Sequence, residues 1–142
     1  MSVAMLQFIK TADRERGEHV AARELGVDIV PMGAGFTWLS EHLEEDRALA
    51  RQCWRQCVEV LESGDYDMVV LDELTYALSY GWLDHEEVFE PLRRRPVGVH
   101  VVITGRDATP ELIEFADLVT EMQETKHPYR TIGLGAQPGI EL

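Results

Sequence analysis

Apolar residues along this chain follow two rhythms. Short, nearly unbroken runs stand at Val3 to Ile9, Val27 to Val30, Met68 to Leu71 and Val97 to Thr104, each closed by polar or glycine-bearing residues. Runs of that length without polar alternation predict strands buried on both faces. Between them the period stretches to that of a helix. Val20, Ala21 and Leu25 precede a stop at Gly26, and Leu43, Ala50, Cys53, Trp54, Cys57, Val58 and Leu61 form one apolar stripe through 41–62, with Ser40 placed to cap it. Asp84 with Glu87 predicts a capping box for a helix through Leu92, and Thr109-Pro110-Glu111 opens another that runs to about Asp117. Leu118 to Met122 is expected as a fifth, shorter strand, and the glycine-rich tail from Gly133 as irregular chain.

Strands that alternate with helices in this way predict one α/β domain with a mostly parallel sheet and helices on both faces. In such sheets ligands gather at the carboxyl ends of the strands. The positions to watch are therefore Lys10, the loop over 32–38, the pair Asp72-Glu73, and Thr104-Gly105-Arg106.

With 142 residues, 45% of them hydrophobic, the chain can bury one core of its own and no second domain is expected. Twenty-six acidic against 13 basic residues give a net charge of −13, which disfavours both nucleic-acid phosphates and an anionic membrane as partners. No apolar run approaches the roughly 20 residues of a spanning helix and no signal peptide opens the chain, so the expected location is cytoplasmic. Cys53 and Cys57 lie four apart on one helical face, where buried free thiols are the ordinary reading. The five histidines show no metal-binding spacing.

Two constellations could carry chemistry. Asp67 to Glu73 has the form of a Walker B strand, in which an acid at the end of a buried strand holds Mg²⁺ near nucleotide phosphates. Met32-Gly33-Ala34-Gly35-Phe36-Thr37-Trp38 sets two large aromatics two residues apart on a glycine-hinged loop, which suits a flat apolar ligand. Each also has an ordinary structural reading: a strand that ends at a solvated acidic turn, and rings that fold back into a core. Arg106 is placed to reach a phosphate or to form a surface ion pair, and Arg93-Arg94-Arg95 reads as a solvated helix end.

The blocks Gln7-Phe8-Ile9-Lys10, Gly35-Phe36-Thr37-Trp38, Val69 to Tyr76, Ile103-Thr104-Gly105-Arg106, Lys126-His127 and Gly139-Ile140-Glu141, in that order, resemble the P-loop type of ATP:corrinoid adenosyltransferase, acting on cob(I)alamin or cob(I)yrinic acid a,c-diamide. The resemblance spans nearly the whole chain. It implies a P-loop NTPase-like, RecA-like fold and transfer of the 5′-deoxyadenosyl group of ATP to the Co(I) of a corrinoid, giving adenosylcobalamin or a precursor and releasing triphosphate. It also implies roles for particular residues: Phe36 and Trp38 against the corrin, displacing the lower axial ligand; Asp72 and Glu73 as the catalytic acids that hold Mg²⁺ or Mn²⁺; Arg106 and Lys10 on the nucleotide side. A homodimer and an electron donor that reduces Co(II) are the partners it suggests beside ATP and the corrinoid.

One departure is plain. The family's pattern opens with a strand, a G-x-G-K-G-K-[ST]-type phosphate loop and a helix ahead of the strand that starts here at Val3, and no such loop occurs in the 142 residues. The domain is therefore expected to be incomplete, with its true start upstream. A split protein whose partner supplies the loop, and a catalytically inactive relative kept for corrinoid binding or interaction, are the alternatives. The missing strand is expected in the sheet interior, so that Met68 to Leu71 and its neighbours lose a partner and expose apolar surface.

Overall fold

The computed structural model describes residues 1–13, 15–33 and 43–137, Leu43 by its backbone alone. Four strands, β1 (Val3–Gln7), β2 (Val27–Pro31), β3 (Met68–Asp72) and β4 (His100–Ile103), form one sheet in the order β2-β1-β3-β4, every pair parallel. Helices α1 (Gly17–Glu24), α2 (Leu43–Ser63), α3 (Leu74–Ser79), α4 (His85–Arg94), α5 (Pro110–Phe115) and α6 (Pro128–Ile132) connect or follow them. This is the parallel α/β sheet that the apolar runs predict, and it is consistent with the P-loop NTPase-like fold that the resemblance implies. Among the described residues no helix is long and apolar enough to cross a membrane.

The two faces of the sheet are unequal. Register aligns Ala4 with Val69 and Leu6 with Leu71, and all four are at most 3% exposed. On this face Leu6, Val69 and Leu71 join Cys53, Trp54, Cys57 and Leu61 of α2, Leu74 and Leu78 of α3, and Val88 and Leu92 of α4 in one core cluster. A fully buried leucine such as Leu61 contributes about 2 kcal/mol through removal of its surface from water. The Trp54 indole N–H donates to the Glu87 carbonyl at 3.0 Å and ties α2 to α4. On the opposite face Met5, Met68 and Val70 are only half-buried and Val102 is exposed.

Three expectations change. β3 does not lose a partner: it pairs with β1 on one side and β4 on the other, and among the described residues the edge strands are β2 and β4. Leu118 to Met122 is not a strand, because it does not pair along that edge; Leu118 and Met122 stand almost fully in solvent. Asp84 takes the N-cap position of α4 without a side-chain bond, whereas the Thr109 side chain accepts from Leu112 N–H as its cap sequence predicts. Arg93 and Arg94 pair with glutamates, and Arg95 donates to the Leu92 and Val99 carbonyls, so the arginine run is a helix end.

At the amino end of the sheet the chain start is clamped to β3. Ser2 N–H donates to Asp67 Oδ2 at 2.7 Å, while Asp67 N–H donates to the Ser2 carbonyl at 3.0 Å.

Candidate functional site

The site is built at the opposite, carboxyl end, where β1, β3 and β4 finish side by side. Gln7 and Asp72 are register partners and the last residues of their strands; Thr104 immediately follows β4. Both oxygens of Asp72 are held. Thr104 Oγ1 donates to Oδ1 at 2.7 Å, and Gln7 Nε2 donates to Oδ2 at 3.0 Å. The same Thr104 oxygen accepts the Glu73 N–H at 3.1 Å, so one hydroxyl serves both acids.

Glu73 turns the chain from β3 into α3 at φ 63°, ψ 22°, a left-handed conformation that costs a non-glycine residue about 1 to 2 kcal/mol. Its carboxyl is pushed above the usual carboxylate range, first by burial and then by the adjacent Asp72 charge, with Lys10 and Arg106 pulling the other way. Two carboxylates with a shortage of positive charge between them form a cation-attracting pair. Their donor set fits Mg²⁺, which keeps several waters and accepts only one or two protein carboxylates together with substrate phosphates. Asp72 keeps lone pairs on both oxygens after its two hydrogen bonds. Among the described residues no group of three or more His, Cys, Asp or Glu is assembled, so an all-protein metal cage is not what this edge offers.

The rim is tight. Gly105, at φ +141°, lies over Thr75: a β carbon there would fall 1.9 Å from the Thr75 hydroxyl oxygen, which is itself buried without a partner. Arg106 is exposed beyond it. Across the edge, Met32 N–H donates to the Gln7 carbonyl and Gly33 N–H to the Lys10 carbonyl, both at 2.9 Å, and a β carbon on Gly33 would meet the Phe8 carbonyl oxygen at 2.3 Å. Lys10 Nζ stands 4.0 Å from Glu18 Oε1. Of the residues singled out from sequence, Asp72, Glu73, Lys10 and Arg106 thus share one end of the sheet. Phe36 and Trp38 lie outside the described residues; the chain departs toward them from Gly33, at that same end.

Sequence reasoning passed over Gln7 as a site residue, and noted Thr104 only as a strand exit. A glutamine closing an apolar run carries no motif; its meaning comes from the register that sets it opposite Asp72.

A parallel sheet in which one central strand, β3, ends in an acid pair braced by a threonine is consistent with the P-loop NTPase-like class of α/β proteins. Within that class, the family model of the ATP:corrinoid adenosyltransferases BtuR/CobO/CobP matches residues 1–142, and the chain belongs to this family. It is 41% identical over 143 residues to a corrinoid adenosyltransferase of Pseudomonas aeruginosa, covering 99% of this chain and 70% of the relative. The corrinoid adenosyltransferase of Escherichia coli K12 is 39% identical over 139 residues, covering 98% and 70%. Corrinoid adenosyltransferase CobA of Salmonella typhimurium is 38% identical over 140 residues, covering 99% and 70%.

Proposed function

We propose that this chain supplies the metal-side acids and the corrinoid loop of an ATP:corrinoid adenosyltransferase of the cytoplasm. The reaction is a displacement at carbon. The Co(I) electron pair attacks C5′ of ATP, the C5′–O bond breaks, and its electrons leave with triphosphate, so that cobalt is formally oxidised by two units. The convergence of Asp72 and Glu73 with Lys10 and Arg106 is the observation that carries the reading. Mg²⁺ or Mn²⁺, when bound, would neutralise charge on the departing triphosphate. Asp72 and Glu73 would hold that ion, and Lys10 and Arg106 would face the phosphates. Phe36 and Trp38 would press on the corrin and displace its lower ligand, and an electron donor would bring Co(II) to Co(I). Assembly as a homodimer belongs to the same proposal.

ATP also needs a phosphate loop, whose backbone amides and own lysine cradle the triphosphate, and the 142 residues contain no such motif. The free edge of β4 is the place for a strand that brings them, since it stands one strand from Asp72, while the other edge, on β2, stands two strands away. Met68, Val70 and Val102, incompletely covered on the adjoining face, offer apolar surface to the helix of the same unit. About 30% of the length of the relatives lies beyond the match, room for such a unit.

Titration of cob(II)alamin with and without ATP and Mg²⁺, followed by absorption and electron paramagnetic resonance, tests the proposal. A four-coordinate Co(II) signal that is lost in the Phe36→Ala, Trp38→Ala double variant, with the fold intact, is expected. A signal indifferent to ATP, even with a phosphate-loop segment supplied, favours a binding protein over an enzyme. No signal under any condition in a folded sample overturns both.

A further inference from the structure

Gln7 is 2% exposed, yet each of its polar positions is engaged. The directions of the bonds around it follow from what each partner can do. The Arg16 backbone N–H has only a proton to give, so His19 Nδ1, 3.3 Å away, is the accepting nitrogen. In the neutral imidazole the proton then sits on Nε2, which donates to Gln7 Oε1 at 3.0 Å. With its oxygen committed, the amide turns Nε2 to its other side. The two hydrogens there meet Asp72 Oδ2 at 3.0 Å and Glu18 Oε1 at 3.2 Å. One line of donors thus runs from the N-cap of α1 through His19 and Gln7 to the carboxylate at the end of β3, with a branch from Gln7 back to Glu18 of α1.

We propose that Gln7 is a positioning residue for Asp72: its amide, oriented by His19, fixes Oδ2 while Thr104 fixes Oδ1, so that the carboxylate meets the metal ion in a single orientation. The proposal rests on the reading of Asp72 as a metal-side acid. Bracing from the strands on both sides removes the rotation of the carboxylate about its last bond, an ordering that would otherwise be lost entropy on metal binding. Filling space does not explain an amide here. A buried amide is costly unless satisfied, and methionine would occupy the same volume without that demand. Loss of an outer partner of a metal ligand typically lowers metal affinity 10- to 100-fold.

The test compares Gln7→Met, Asp72→Asn and, as a control for stability alone, Val88→Ala, a fully buried position in α4 away from the site. Mn²⁺ affinity, with ATP and a phosphate-loop segment supplied, is read by electron paramagnetic resonance, and urea midpoints are recorded beside it. Gln7→Met is expected to weaken Mn²⁺ about tenfold or more, while Val88→Ala stays within twofold despite its lower urea midpoint. Gln7→Met within twofold of the unaltered protein, or a loss in Val88→Ala equal to it, overturns the proposal. Asp72→Asn that keeps full Mn²⁺ affinity, or an unaltered protein that binds none, overturns the reading of Asp72 and this proposal with it. A separate measurement needs no variant: the ¹⁵N shifts of His19 in the unaltered protein are expected to show the proton on Nε2, and a proton on Nδ1 alone would break the chain of donors.

Discussion

Glu73 sits where stability and chemistry oppose each other. Its carboxyl is raised by burial and by Asp72, so just above the ordinary value of 4.5 the folded protein holds a proton that the unfolded chain has released. The unfolded state then binds fewer protons, and stability falls as pH rises through that window and stays lower above it. Glu73→Gln removes this cost and keeps the same left-handed backbone. The variant is expected to melt higher at pH 7 to 8 by on the order of 2 to 4 °C, the shift that ~1 kcal/mol produces in a domain of this size, with the difference fading at pH 4. Thermal melts across that pH range check it; a variant less stable than its parent at pH 8 contradicts it. Adenosyl transfer by the complete enzyme should drop with the lost carboxylate. At this scale the acids were legible, because charge that ends a buried apolar run is conspicuous in a sequence. Gln7, Thr104 and His19 were not, because their roles arise from bonds between segments that lie as many as 65 positions apart, and only strand register decides which residues meet.

Helix α2 shows how much a periodic stripe reveals. From Ala50 to Leu61 its apolar stripe enters the core as the 3.6-residue spacing predicts, and it carries Cys53 and Cys57 with it. Burial pushes both thiols up, Cys57 the further, helped by Cys53 beside it; Cys53 also donates to the Met32 carbonyl at 3.2 Å. A thiol that stays protonated is a poor nucleophile. Neither should react with an aromatic disulfide reagent at pH 8 in the folded protein, and both should react at once in denaturant. Fast labelling of one thiol in native buffer would show α2 opening locally. Weak periodicity misled: Leu118 to Met122 has the apolar content of a strand, but a strand exists only by pairing, and composition is silent about an available edge. Helix α3 went unread because its six residues are fewer than two turns, too few to display a period. β4 begins at His100, not Val97, because Val97 is fully exposed ahead of the turn at Gly98.

Among the described residues the molecule is a sheet with one well-covered face and two edge strands, β2 and β4. The His100 N–H donates to the carbonyl of Asp67, just before β3, and the Thr104 N–H to that of Leu71 in β3, so by the alternation of a strand those of Val101 and Ile103 point outward from the free edge. Their amide protons should exchange with solvent orders of magnitude faster than those of Val70 in the centre of the sheet. Addition of a phosphate-loop segment from a relative should slow them, as hydrogen exchange by NMR can show; unchanged exchange in a complex that binds ATP would put the segment elsewhere. The sequence announced the class of fold through its strand and helix alternation, and it announced the lack of a phosphate loop. It could not show that β2 and β4 are the edge strands, since strand order is not written in any one segment. Charge adds a constraint: at −13, two copies repel at low salt, so self-association should strengthen as salt is added. The Ser2 to Asp67 clamp bears on how such a segment is grafted. A peptide fused ahead of Ser2 emerges at the foot of the sheet, some 17 Å of strand rise below Asp72. A flexible tether therefore needs about ten residues to climb that height, and a shorter one would hold the grafted loop at the wrong end of an otherwise sound protein.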